Sequence, residues 1–224
     1  TFVPTDASIQ DAIDPATAGD TVLVGPGTYH ENLTINKEIT LLGAQAGEAA
    51  TGIARAGGES VIEGTGNAGI SVRADNVTID GFEITGFSLK GINVRTLEEA
   101  KPGDPSVGAF RSDVTIANNW IHADASSGQK NGILLGESPG PGTSDKIAEI
   151  ADVTVSRNHI EVDSGGASPF NARAMVITNQ FTDTPGETLT VTGLKVDENT
   201  FVSDAFAFFG SAQPSTFSIE NTSI

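Results

Sequence analysis

The apolar positions of this chain fall into short alternating runs, and the runs recur. Gly69-Ile-Ser-Val72, Gly91-Ile-Asn-Val94, Gly132-Ile-Leu-Leu135 and Ala174-Met-Val-Ile177 each set a small residue before apolar residues spaced two apart. Period-two alternation marks a strand with one buried face, so Ile70, Val72, Ile92, Val94, Ile133, Leu135, Met175 and Ile177 point inward. Ser71, Asn93, Leu134 and Val176 then point outward. A second phrase alternates with the first. Its copies are Asn76-Val-Thr-Ile-Asp-Gly-Phe-Glu-Ile-Thr85, Asp113-Val-Thr-Ile-Ala-Asn-Asn-Trp-Ile-His122, Asp152-Val-Thr-Val-Ser-Arg-Asn-His-Ile-Glu161 and Leu194-Lys-Val-Asp-Glu-Asn-Thr-Phe-Val202. Such recurrence is the signature of a solenoid, in which each copy buries its apolar face only by stacking on the next.

The interval between copies sets the size of one coil. Ile70 to Ile92 and Ile62 to Ile84 are each 22 residues apart. At about 3.3 Å per extended residue, this suffices for three short strands and three turns around one closed rung, with rungs about 4.8 Å apart. The pattern predicts an all-β right-handed parallel β-helix, a three-sheet solenoid of about six coils, forming a single domain over residues 1–224. Gly-Ile-x-Val segments are first strands, Val-Thr-Ile segments second strands, and the pieces centred on Ile84, Ile121, Ile160 and Phe201 third strands. The short turn between second and third strands aligns Asn119, Asn158, Asn199 and Asn221. Asn tolerates left-handed backbone and can bond the next rung through its amide, so a stacked Asn ladder is expected there.

Residues 1–20 read as a cap. Ile9, Ala12 and Ile13 have the spacing of a short helix, with Thr5, Asp6 or Ser8 placed to cap it and the open edge of the first rung beneath it. At the other end, Phe217-Ser-Ile-Glu-Asn-Thr-Ser-Ile224 reads as a second strand, an Asn turn and a third strand with no cap after it. Further coils or end-to-end self-association through this open coil are the two expectations.

The copies differ in one place. Coil two crosses from first to second strand with Arg73 to Asn76, whereas the next three use Arg95 to Asp113, Gly136 to Asp152 and Thr178 to Gly193. These insertions leave one corner of successive rungs and are expected to pile into one wall, the kind of place where solenoids put binding surfaces. Basic residues gather beside it: Arg73 and Arg95 after the first strand, and Lys90, Lys130 and Arg173 just before it. Such a stripe can hold carboxylates or sulfates spaced along a polysaccharide, or it can balance Glu98, Glu99, Asp104 and Glu137. On the third sheet, Glu83, Trp120, His159 and Thr200 form one outward column and Thr85, His122, Glu161 and Val202 the next. Trp120 offers a platform for a sugar ring, and His122 lies where it would share a proton with Glu161; the alternative is plain cross-rung pairing on a solvent face.

Composition narrows the partners. A formal net charge of -17, with twelve Lys and Arg, disfavours non-specific binding to nucleic acid and permits divalent cations. No apolar run is long enough to insert in a membrane, and the lack of Cys leaves the redox compartment open.

The opening segments Ser8-Ile-Gln-Asp-Ala-Ile, Gly19-Asp-Thr-Val-Leu-Val, Gly27-Thr-Tyr-His-Glu-Asn and Ile39-Thr-Leu-Leu-Gly43 resemble the start of the pectin-lyase-like right-handed parallel β-helix superfamily. Pectin methylesterases and the carbohydrate-binding, sugar-hydrolase-type β-helix repeat proteins share that opening, and the later Val-Thr-Ile copies resemble the superfamily's general repeat. The resemblance implies a secreted, periplasmic or cell-surface protein. It does not extend to the methylesterase chemistry, whose Gln-Asp-Thr-Leu and Asp-Phe-Ile-Phe-Gly segments are missing. Pectate lyases pair a calcium-binding Asp cluster on the first sheet with an Arg base, whereas the corresponding outward column here is Ser71, Asn93, Leu134 and Val176.

Two functions of different class follow. In one, the chain binds an acidic polysaccharide between the first sheet and the insertions, and if it also acts chemically, the reaction is cleavage by β-elimination or epimerisation at C5. A cation would neutralise the uronate while a basic residue takes the proton. Arg95 is then the base, Arg73, Lys90, Lys130, Arg173 and Trp120 contact substrate, and Glu137 helps hold calcium. In the other, the chain is a non-catalytic structural or adhesive segment of a larger surface or matrix protein.

Overall fold

A computed structural model describes residues 1–5, 7–96, 109–124, 128–137, 147–163, 171–178, 188–203, 210–211 and 216–220. Among these residues the chain winds through six coils, each giving one strand to each of three parallel sheets. The first sheet stacks Leu33–Ile35, Ala68–Val72, Lys90–Arg95, Lys130–Glu137, Ala172–Thr178 and Gly210–Ser211. The second stacks Asp20–Val24, Ile39–Leu42, Val77–Asp80, Val114–Ala117, Thr154–Ser156 and Lys195–Asp197, with Phe2–Val3 added at its outer edge. The third stacks Gly27–Tyr29, Ser60–Glu63, Phe82–Thr85, Trp120–Asp124, His159–Asp163 and Thr200–Ser203.

Register keeps like with like. Ile70, Ile92, Ile133 and Met175 pair in succession along the first sheet, as do Val77 and Val114, then Ile79, Ile116, Val155 and Val196 along the second. These inward columns are buried and form one continuous core. The small residue opening each first strand has a steric cause. A Cβ on Gly69, Gly91 or Gly132 would lie 2.9, 2.5 or 2.3 Å from Cγ2 of Ile84, Ile121 or Ile160, the third-sheet isoleucine one coil further on.

The corner between second and third sheets closes on the expected ladder. Asn119 Oδ1 accepts from Phe82 N at 3.0 Å, Asn158 Oδ1 from Asn119 N at 2.9 Å, and Asn199 Oδ1 from Asn158 N at 2.9 Å. Their Nδ2 groups donate one coil back, to the carbonyls of Ile79, Ile116 and Val155. The left-handed residue is the one before each ladder Asn: Asn118, Arg157 and Glu198 have φ of 56°, 56° and 54°, with Gly81 at 81° in the same place. The ladder amides therefore serve hydrogen bonding, while their predecessors make the bend.

A lengthwise strap lies over this corner. Within residues 43–59, Gln45 N donates to Gly81 O, Gly47 N to Asp80 Oδ1, Arg55 Nη1 to Asn118 O at 2.8 Å, and Ala50 N to Arg157 O. Arg55 and Glu59 form a buried ion pair at 2.9 Å that holds the strap in shape. At the amino end, the helix Ile9–Ile13 is capped by Ser8 and buries Ile9 and Ile13 over the first coil. The Glu31 carboxylate accepts from Ile9 N at 2.7 Å and Gln10 N at 3.0 Å, matching negative charge to the helix start.

Two features depart from the sequence reading. The three insertions each end in a strand, and Ala109–Ser112, Ile147–Ala151, Thr188–Thr192 and Thr216–Glu220 form a fourth parallel sheet before the second-strand corner. Phe217 pairs with Leu189 and Ile219 with Val191, so Phe217-Ser-Ile-Glu belongs to this fourth sheet and is not a second strand. Asn221 and the third strand expected after it lie outside the described residues. Ala148, Ile150, Leu189 and Val191 join the main core, which is why the wall is a continuation of the solenoid.

Candidate functional site

Two faces carry the residues singled out above. On the first sheet, Arg73 and Arg95 follow the paired residues Val72 and Val94, so they occupy equivalent positions on adjacent coils. Lys90, Asn131 and Arg173 share one register row, and Lys130 sits one residue earlier, opposite Ala172. Lys90 and Lys130 begin their strands instead of preceding them. Their charges are engaged locally. Lys130 Nζ donates to Phe87 O at 2.8 Å and lies 5.9 Å from that ring's centroid; Lys90 is 3% exposed. The Gln129 carboxamide turns its oxygen to Arg173, whose partial burial pulls its guanidinium below the ordinary arginine value.

The outward column between these basic residues is closed on three of its four coils. Asn93, Leu134 and Val176 each retain 2% exposure, although alternation directs them away from the core, while Ser71 is half-buried. Binding was expected between this face and the insertions, where these three side chains leave little exposed floor. Arg95 faces Glu137 in register across a shift after Val94, and Glu98, Glu99 and Asp104 lie outside the described residues. Arg73 Nε is buried without a hydrogen-bond partner.

Arg111 is a charged residue that sequence reading passed over. It is 1% exposed on the first strand of the fourth sheet, donating from Nη1 to Asp75 Oδ1 at 2.8 Å and from Nε to Arg95 O at 3.1 Å. Ser112 N also donates to Asp75 Oδ1, at 2.9 Å. The signal lay in the short alternating runs that close the insertions, such as Leu189 and Val191 before Leu194.

The third sheet presents a more open face, on which all three histidines of the chain pair with glutamates. His122 Nε2 meets Glu83 Oε1 at 2.8 Å, His30 Nδ1 meets Glu63 Oε2 at 2.9 Å, and His159 Nε2 lies 3.7 Å from Glu161 Oε2. His122 and Glu161 are register partners, yet the proton-sharing contact expected between them goes to Glu83 instead. The Trp120 and His122 rings stack along the same strand, 4.5 Å apart at 29°. Thr85 Oγ1 is at the limit of hydrogen bonding to His122 Nδ1, at 3.5 Å. An open cleft of about 230 Å³ beside this stack is lined by His122, Ala123, Asp124, Glu161 and Asp163. Among the described residues no group of three or more His or carboxylate side chains converges as metal ligands would.

Parallel coils of three strands, an amino-terminal helical plug and an Asn ladder decide the architecture. The fold is a parallel β-helix. No protein-family model matches the chain. A cell surface glycoprotein of Methanothermus fervidus is 36% identical over 84 residues, which are 36% of this chain and 12% of that protein. This chain therefore corresponds to a small part of that relative's length. Among solved structures, a pectin methylesterase from Aspergillus niger is 11% identical with a TM-score of 0.42, covering 99% of this chain and 85% of its own. Pectin methylesterase PemA from Erwinia chrysanthemi is 12% identical with a TM-score of 0.36, over 100% and 89% of the two chains. An alginate lyase from a Paenibacillus species is 15% identical with a TM-score of 0.34, over 100% and 99%. Among the described residues no helix is long and apolar enough to cross a membrane.

Proposed function

We propose that this chain is a rigid, non-catalytic β-helix segment of a larger cell-surface or secreted protein, working next to polysaccharide as a structural or adhesive element. The observation that carries this reading is the closed first-sheet face. A glycan-processing β-helix of the kind expected needs an open floor between its basic residues, and Asn93, Leu134 and Val176 are buried at 2%. The likeness to part of a cell surface glycoprotein supports the location.

A second reading is favoured by Arg73. A buried guanidinium nitrogen with no partner would gain a charge-assisted hydrogen bond from a uronate carboxylate, beside Arg95 in the equivalent position. In that reading Arg95 abstracts the C5 proton, Arg73, Lys90, Lys130, Arg173 and Trp120 contact the chain of sugars, and Glu137 assists calcium.

One assay separates the two. The protein is incubated with a panel of uronate polysaccharides, with and without calcium, while ultraviolet absorbance reports unsaturated ends and calorimetry reports binding. The structural reading expects no absorbance rise with any substrate. A calcium-dependent rise abolished by Arg95→Ala would overturn it in favour of the second reading.

A further inference from the structure

The first copy of the second-strand phrase begins Asn76-Val-Thr78, an Asn-x-Thr triplet of the type that accepts N-linked glycans. The same triplet type occurs at Asn32-Leu-Thr34, and Asn221-Thr-Ser223 lies outside the described residues. The two described sites differ in what their amides are doing. Asn32 is tied to the next coil: Nδ2 donates to Ala68 O at 2.7 Å and Oδ1 accepts from Gly66 N at 3.0 Å. Its carboxamide also packs so tightly against Gly64 and Gly66 that a Cβ on either would come within 2.6 or 2.9 Å of it. A sugar on that nitrogen would have to displace these contacts.

Asn76 has none of these ties. It is exposed, it turns the chain in left-handed backbone at φ 54°, and Thr78 begins the outward-facing positions of the following strand. It also sits at the single first-to-second crossing, among the four compared, that carries no insertion. We infer that Asn76 is an N-glycosylation site and that Asn32 stays unmodified in the folded chain. The donor class is an oligosaccharide on a lipid pyrophosphate carrier, used by a membrane transferase. The bond from sugar C1 to the pyrophosphate oxygen breaks, a bond from C1 to Asn76 Nδ2 forms, and the transferase takes the proton that leaves Nδ2.

The position gives the glycan a physical role. Ala109–Ser112 is one of the two end strands of the fourth sheet, and the end of a sheet is where other chains can add. Asp75 already occupies Ser112 N, Asn76 N donates to Ser112 O at 3.3 Å, and Val77 N donates to Asp113 O at 3.1 Å. A hydrated glycan rooted in this short segment would stand beside that end strand and hinder other chains from approaching it.

The test is secretion of the full chain from a host with an Asn-x-Thr transferase, carrying a reference Asn-x-Thr triplet in a terminal tag. Peptide mass spectrometry is applied to the folded, monomeric fraction in which the tag is glycosylated. The expected result is glycan on the Asn76 peptide and a bare Asn32 peptide. Because Asn76→Gln must strain a left-handed position, Thr78→Val is the cleaner variant: it should remove the glycan at position 76, and Thr78→Ser should restore it. A bare Asn76 in chains whose tag is modified overturns the proposal, as does glycan on Asn32 in that fraction. Neither outcome depends on whether the protein is structural or catalytic.

Discussion

Two corners of the same solenoid solve the same problem in opposite ways. Between second and third sheets the second coil inserts the strap of residues 43–59, but the later coils turn in a few residues, and three of these bends are locked by Asn119, Asn158 and Asn199, whose amides bond the coil before. Between first and second sheets three coils insert long segments, and their ends add a fourth sheet that shares the core. The ladder side chains of the tight corner are held from both ends, each oxygen accepting from a backbone N–H and each nitrogen donating to a carbonyl. The other corner takes added chain on three successive coils, and there a full charge, Arg111, is held inside by a carboxylate and a carbonyl. Tight turns make the rod; the permissive corner makes it individual.

The comparison is most easily broken at the tight corner. Gly81→Ala would put a methyl group 2.1 Å from Ala46 N at φ 81°, where strap backbone cannot yield cheaply. Left-handed strain and overpacking together predict a loss of about 3–5 kcal/mol, read as a large fall in the denaturant midpoint. Asn158→Ala should cost about 3 kcal/mol, because it strands the Ile116 carbonyl and Asn119 N inside the corner. An effect under about 1 kcal/mol for Asn158→Ala would mean that the ladder is a bystander to apolar packing.

The permissive corner should respond more weakly and with a different sign pattern. Asp75→Ala removes the carboxylate facing Arg111 and Ser112 N, and since Asp75 itself is about one-third exposed, roughly 2 kcal/mol is expected. Replacing the pair together, Asp75→Ala with Arg111→Met, should recover part of that loss, because no unpaired charge then remains buried. A double variant worse than the single one would show that the pair itself holds the fourth sheet in place. At the exposed end of the scale, His30→Ala removes a solvent-facing pair with Glu63 and should change stability by less than about 0.5 kcal/mol.

The smallest effect is one of pH. The Thr17 backbone N–H and then its hydroxyl, both donating to Asp20, hold that carboxyl below its ordinary value of 3.8. A depressed carboxyl stabilises the fold above its unfolded value and loses that contribution as pH falls through the folded one. Acid unfolding of Asp20→Asn should therefore show a slightly shallower dependence below pH 3.8 than the parent. An identical profile would assign no role to this contact.

Much of the fold was legible in the residues, and for stated reasons. The Gly-Ile-x-Val and Val-Thr-Ile runs identify strands because side chains alternate faces, and the short helix was visible in Ile9 and Ile13 behind Ser8. The Asn ladder was legible because a very short turn allows few residues to bond from rung to rung. The strap of residues 43–59 was not, since its contacts to Gly81, Asn118 and Arg157 join residues far apart in the chain and follow no period. The candidate site was legible as a set of residues and not as a place. The five basic residues gather around the first sheet as expected, but the pairing of Lys130 with Phe87 and of Arg173 with Gln129 could not be read from spacing.

The sequence by itself determined which side chains face inward, because a period of two and a small residue at the crowded corner admit one register per coil. It also determined how the coils stack, since no single coil can bury its own apolar face. Only the tertiary structure decided which outward columns meet solvent. Asn93, Leu134 and Val176 alternate just as Glu83 and Trp120 do, yet the first three are buried and Trp120 is partly open. Local alternation tells a side chain to leave the core; whether another segment lies over it depends on where distant chain packs, and no local period records that.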